Sequence, residues 1–313
     1  MIEKFFQHVR YIMSRLNRVV LLFVGIMAVG IQGGSFDAFA EKLPIPVFVS
    51  IQPLAYFVNR VGGDRVRVDI LVKPGGSPAT YAPTPKQMAR LAAAKIFFRI
   101  GVPFEKAILP KISRNMPGLY IVNTSATIDR AESADHTLKG QSSVHPTDSN
   151  QGELDPHTWM DPMLAKKQAE VIMKTLVKID PAGRSIYEVN YRKIAEELAA
   201  LDARIRKTLK VVEGKTMFVY HPAYGYFCRA YGLRQKAVES GGKDPSPRHL
   251  TLLIDEARKE GIRVIVVQPQ FSQKKARSIA RAINGAVVVF DPLAYDYMAN
   301  LEKVANRLAG LLR

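Results

Sequence analysis

The chain has 313 residues, 47% of them hydrophobic and 23% charged, with 45 basic against 28 acidic side chains for a net charge of +17. That mix is a globular chain's, and the length suggests two domains. The single cysteine, Cys228, excludes an internal disulfide, and the scatter of basic residues, with no Lys/Arg run interleaved with aromatics, argues against nucleic acid as a partner.

The N-terminus carries Lys4, Arg10, Arg15 and Arg18 ahead of an apolar run from Val19 to about Ile31, then Ala38-Phe39-Ala40. A basic region, a short apolar stretch and a small-x-small site form a secretory signal peptide over residues 1–40, cleaved near Ala40. The competing reading is an uncleaved anchor, for which the run is short. No cysteine follows that would take a lipid, so a free periplasmic protein is expected. The mature chain then begins near Glu41 with 41 basic and 26 acidic side chains, a formal +15 read as a solvated basic surface.

From there strands and helices alternate. Pro46 to Ile51 reads as a buried strand, Gly62-Gly63-Asp64 as a turn, and Val66 to Val72 as a second strand. Lys73 to Pro83 is a Gly/Pro loop, and Thr84-Pro85-Lys86-Gln87 has the form of a capping box opening a helix to about Ala94. A strand over Ile96 to Ile100, a helix over Phe104 to Ser113 and a strand over Leu119 to Val122 follow. This rhythm predicts parallel βαβ units. Residues 125–154 break it: they are polar, aperiodic, and contain His136 and His145, which predicts a mobile loop.

Asp155-Pro156-His157-Thr158-Trp159-Met160-Asp161-Pro162 holds the only tryptophan, and Asp161-Pro162 reads as a helix start. That places His157 in the loop just before a helix that runs to about Ile179. A second helix opens at Asp180-Pro181. Tyr187, Tyr191, Ile194, Leu198, Leu201, Ile205 and Leu209 recur along it at steps of four and three, one apolar stripe on a helix running to about residue 210. A coiled-coil dimer is the competing reading, for which the repeat is short. Beyond it come a strand (Thr216 to Tyr220), a helix (Tyr224 to Tyr231), a helix capped by Ser246-Pro247, a strand (Arg263 to Val267), a helix (Ser272 to Asn284) stopped by Gly285, a strand (Ala286 to Phe290), and a C-terminal helix. Cys228 reads as a packed helix residue.

His221 and Asp291 each follow a strand, where open α/β sheets place ligands. Two sheets face to face would bring His157, His221 and Asp291 into one cleft, and two imidazoles with a carboxylate suit zinc or a similar divalent ion. By itself, Asp291 reads more simply as a cap, His157 as a loop residue beside a core tryptophan, and His249 as a surface or packing residue.

The ordered set 50–66, 74–95, 155–162, 180–202, 220–233, 268–272 and 290–297 resembles the periplasmic metal-binding proteins of ABC importers for zinc and manganese (ZnuA/TroA-like), over nearly all of the mature chain. The resemblance implies two α/β lobes (41–180 and 213–313), each a βα sandwich, joined by one long rigid helix (181–212), with the metal in the interlobe cleft. It implies a solute-binding protein rather than an enzyme, a monomer that takes Zn2+ (alternatively Mn2+ or Fe2+) and delivers it to an inner-membrane permease. His157 and His221 match family ligands, and Asp291 matches a carboxylate that is a ligand in part of the family. One position departs from the pattern. Where the family has histidine after proline, this chain reads Ser77-Pro78-Ala79-Thr80-Tyr81, and Ala79 has no donor atom. Three arrangements stay open: His157, His221 and Asp291 with water; a site completed by His136 or His145; or another metal or a non-metal solute. Tyr81 is near enough in sequence to reach the site, or is a core aromatic. The rival functions are a zinc hydrolase, which lacks a convincing general base, and an adhesion or interaction protein on the same fold that has lost metal binding.

Overall fold

The computed structural model describes residues 43–129, 154–239 and 244–313. The signal-peptide reading, the loop histidines His136 and His145, and most of the 125–154 segment lie outside them. Leu43–Arg313 forms one compact unit.

Two four-stranded parallel sheets organise that unit. In the first, β1 (Ile45–Val49), β2 (Val66–Ile70), β3 (Ile96–Arg99) and β4 (Tyr120–Asn123) lie in the order β2-β1-β3-β4. In the second, β5 (Thr216–Val219), β6 (Arg234–Ala237), β7 (Val264–Val267) and β8 (Ala286–Val289) repeat it as β6-β5-β7-β8. The apolar runs predicted as strands are here, each within a residue or two. The strand that sequence reasoning missed is β6: Arg-Gln-Lys-Ala, at one edge of the second sheet, has no apolar run to mark it. Its Lys236 pairs with Glu256 at 2.6 Å and Glu260 at 2.8 Å.

The helices carry the expected start signals. The helix α1 (Gln52–Gly62) has proline in its first turn, and α2 (Pro85–Ala92) has the complete Thr84–Gln87 capping box. α3 spans Pro103–Asn115. Asp161 caps α4 (Pro162–Ile179), its carboxylate accepting from the backbone N–H groups of Met163 and Leu164. In the second half stand α6 (Gly225–Ala230), α7 (Pro247–Lys259, capped by Ser246), α8 (Gln273–Ala282) and α9 (Tyr297–Leu311). The stop after α8 differs from expectation. Asn284, not Gly285, takes the left-handed conformation at φ 51°, a site asparagine tolerates. Cys228 is buried and its thiol is pushed up to about 12 by burial, which makes it a packing residue.

Between the halves runs α5 (Arg184–Leu209), flanked by single 3₁₀ turns at Pro181–Gly183 and Lys210–Val212. Its 26 residues span about 39 Å. The predicted stripe is its buried face: Tyr187, Ile194, Leu198, Leu201, Ile205 and Leu209 are all within 1% of full burial, and Tyr191 packs at the margin. This helix lies against α1, α4 and α9. One hydrophobic core therefore runs from the first sheet past α5 to Met217, Val219 and α9, while a smaller cluster around Phe218, Ile265 and Ile279 covers the other face of the second sheet.

The entry to α5 is fixed by a buried carboxylate. Asp180, 2% exposed, accepts from Arg65 Nε at 2.8 Å, Arg65 Nη2 at 2.6 Å and the Tyr187 hydroxyl at 2.7 Å. Gly183 is needed beside this group, since a Cβ there would sit 2.6 Å from the Tyr187 ring. Removing Arg65 leaves the Asp180 charge buried without its guanidinium. Arg65→Ala should therefore destabilise the protein by about 3 kcal/mol, read as a lowered denaturation midpoint in urea; an unchanged midpoint would show the group to be dispensable.

Candidate metal centre

In both sheets the connections leave in opposite directions from the two central strands, which opens a crevice at their carboxyl ends. In the second sheet that point lies between β5 and β7, and His221 follows β5 there. Its backbone is bracketed by Gln268, fully buried at the end of β7. The Gln268 amide donates to the His221 carbonyl at 2.8 Å, and its Oε1 accepts the His221 N–H at 3.4 Å. His157 comes from the first half, in the turn before the Thr158–Met160 3₁₀ segment and α4.

The two imidazoles meet. Their ring centroids lie 5.3 Å apart at 76°. Each ring is fixed from behind by a buried carboxylate: His157 Nδ1 stands 2.7 Å from Asp155 Oδ1, and His221 Nδ1 stands 3.1 Å from Glu239 Oε2. Asp155 Oδ1 also accepts the His157 backbone N–H at 2.9 Å. Asp155 and Glu239 are 3% and 5% exposed, so these are held groups and not solvated ones. With each Nδ1 engaged, Nε2 is the donor atom left on each ring, the arrangement seen where carboxylates orient metal-binding imidazoles. A tetrahedral ion with Zn–N bonds of about 2.0–2.1 Å sets its two ring centroids roughly 5 Å apart, in agreement with the spacing here.

Aromatic walls complete the surroundings. The Trp159 ring lies 5.2 Å from His157, and Phe271 stacks on His221 at 4.9 Å and 20°. Burial holds the His221 pKa below the ordinary imidazole value, with the His157 ring acting in the same direction and Glu239 opposing both. For Asp155, burial disfavours ionisation, but the His157 ring and the N–H groups of His157 outweigh it and bring the carboxyl below its ordinary value.

The third expected member stands differently. Asp291 Oδ1 accepts from the Leu293 N–H at 2.9 Å and from Gln270 Nε2 at 3.1 Å, which makes it the cap of the turn before α9. Among the described residues no three His, Cys, Asp or Glu side chains form a group arranged to hold a metal ion. The structure thus joins His157 to His221 and leaves Asp291 in its turn. Ala79 is exposed, its N–H donating to Ser77 Oγ at 3.3 Å. Tyr81 is a structural aromatic: its hydroxyl donates to Gln87 Oε1 at 2.8 Å and its ring packs edge-on against Phe104. His249 lies in the first turn of α7, its N–H donating to the Ser246 cap.

The walls of the cleft are tied together behind the histidines. Trp159 Nε1 donates to the Pro292 carbonyl at 2.8 Å, and the Tyr297 hydroxyl donates to the Trp159 carbonyl at 2.6 Å. The Tyr226 hydroxyl donates to the Asp155 carbonyl at 3.2 Å, and Tyr297 packs on Phe57 of α1 at 4.8 Å. Sequence reasoning found Trp159 but not these partners. Glu239 was also missed, because it follows the polar strand β6.

The model of the family described as zinc-uptake complex component A, periplasmic (ZnuA), matches residues 47–310. This chain belongs to that family. It is 29% identical over 264 residues to the high-affinity zinc uptake system protein ZnuA of Bacillus subtilis, across 83% of this chain and 81% of that protein. It is 26% identical over 280 residues to the protein of the same name from Yersinia pestis, across 85% and 88%. A crystal structure of ZnuA superposes with a TM-score of 0.78 at 33% identity, covering 86% of this chain and 100% of that one. A zinc-bound ZnuA deletion mutant gives 0.76 at 34% identity, over 86% and 98%. The two parallel-sheet lobes and long helix are thus those of the ZnuA family, whose members are metal-binding transport components.

The Glu239 contact fixes which nitrogen of His221 carries the proton. In Glu239→Ala, the imidazole should lose its single tautomer, and the ring nitrogens should show averaged 15N shifts in metal-free protein. Unchanged shifts would mean that Glu239 does not orient the ring.

Proposed function

We propose that this protein is the periplasmic zinc-binding component of an ABC importer, holding Zn2+ as cargo between His157 and His221. The observation that carries the reading is the pair of imidazoles, one from each half, 5.3 Å apart and each backed by a buried carboxylate. Neutral imidazole nitrogens suit zinc better than the harder manganese ion, which favours oxygen ligands; Fe2+ is the remaining alternative. Delivery is to an inner-membrane permease, by a monomer released into the periplasm after cleavage near Ala40.

Two neutral nitrogens are half of a tetrahedral shell. The further donors are Asp291, once Gln270 releases it, with water, or a histidine of the 130–153 segment. Ala79 adds none. The continuous core and the hydrogen bonds through Trp159 and Tyr297 resist wide opening of the two halves. Capture and release therefore work through the loops at the strand ends, by local ordering rather than hinge closure.

Metal binding displaces protons from its ligands, so acid weakens it. Because the His221 pKa is lowered, its own proton competes only at a pH below that of an ordinary imidazole, about 6.5. Zinc affinity should accordingly fall on acidification. Affinity is measured by competition with a chelating dye on protein purified without chelators. His157→Ala and His221→Ala should each lower it by at least roughly a hundredfold, since outer-shell partners alone are worth about 10–100-fold. Ala79→His, in turn, should tighten binding. Full affinity in both alanine variants would sink the site.

A further inference from the structure

The turn that follows β7 carries a second layer of support for His221. Gln268 brackets the backbone of His221 from both sides, at 2.8 and 3.4 Å. The chain then turns back, with the Phe271 N–H donating to the Gln268 carbonyl at 3.1 Å, and this return lays the Phe271 ring over the imidazole. The two rings are nearly parallel, at 20°, with centroids 4.9 Å apart. Among the described residues, every other ring contact of the two histidines is tilted or edge-on, at 56° to Trp159 and 76° between the histidines themselves. Phe271 is held in turn by Tyr220, at 5.7 Å, and is part of the cluster on the far face of the second sheet.

We propose that Phe271 is a positioning residue of the metal site, fixing the plane of the His221 ring so that Nε2 keeps its direction toward the ion. The proposal rests on the reading of His221 as a zinc ligand. With the ring bonded at Cγ and hydrogen-bonded at Nδ1 over 3.1 Å, coupled rotation about χ1 and χ2 still lets its plane rock. A flat surface against one face restricts that rocking. The stack also covers that face of the imidazole with hydrocarbon, so water does not approach the ion across it. Glu239 and Phe271 thus act on different freedoms of the ring. The carboxylate selects the nitrogen that carries the proton, and the aromatic face selects the plane.

The test compares Phe271→Ala, Phe271→Leu and Phe271→Tyr in the full mature chain, with His221→Ala as reference. Zinc affinity is read by dye competition, and Co2+ serves as a spectroscopic probe of site geometry. Phe271→Ala and Phe271→Leu should weaken zinc binding roughly tenfold, at the low end of outer-shell effects, and reduce the visible absorption of the Co2+ form. Phe271→Tyr, which keeps a flat ring, should retain both. Leucine restores bulk without a plane, so equal affinity in the leucine and tyrosine variants would overturn the positioning role, and so would an unaltered Co2+ spectrum in both Phe271→Ala and Phe271→Leu. If Phe271→Ala fails to fold, the leucine–tyrosine comparison decides alone. Loss of zinc in His221→Ala with no effect at Phe271 would sink this proposal only; undiminished affinity in His221→Ala would sink the reading of His221 as a ligand, on which the proposal rests.

Discussion

The site depends on holding two imidazoles, from opposite halves of the chain, within 5.3 Å of one another. Side-chain rotation would waste that closeness, and a buried carboxylate behind each ring restricts it. Asp155 is two residues from His157 and grips both its ring and its backbone N–H. Glu239 reaches His221 from the neighbouring strand end. The cost of burying the two carboxylates is offset by the charge-assisted bonds they accept, and what it secures is direction at Nε2.

A two-sided site of this kind also needs its walls at a fixed distance. Here α5 is more than a strut, because its apolar stripe belongs to the same core as both sheets. The return of the chain after β8 adds the second brace. Pro292 and Tyr297 engage Trp159 from both ends, so the residue two places beyond His157 is hydrogen-bonded into the C-terminal segment. The Asp180–Arg65–Tyr187 group sets the angle at which α5 leaves the first half. The frame thus holds the two histidines at a set spacing.

Much of the fold is legible in neighbouring residues. Alternating apolar runs and turn residues mark the strands, Thr84–Gln87 and Asp161-Pro162 mark helix starts, and the spacing from Tyr187 to Leu209 marks the long helix. Each is a local property. The failures share the opposite character. The strand β6 is polar, its Lys236 paired with Glu256 and Glu260, so its pattern resembles a loop. With β6 unread, Glu239 had no place at a strand end. Phe271 and Gln268 look like turn residues because nothing near them in sequence says what they lie against.

The sequence by itself determined the α/β class, the connecting helix, and His157 and His221 as the residues to watch, since hydrophobic period and capping chemistry act over a few residues. Only the tertiary structure decided that these two histidines meet and that Asp291 stays in its own turn with Gln270 and Leu293. It also decided that Asp155 and Glu239 stand behind the two rings and that Phe271 lies flat against His221. Those outcomes depend on contacts between segments far apart in the chain. Distances of that kind are fixed by how two sheets pack around a shared core, and no local pattern encodes them.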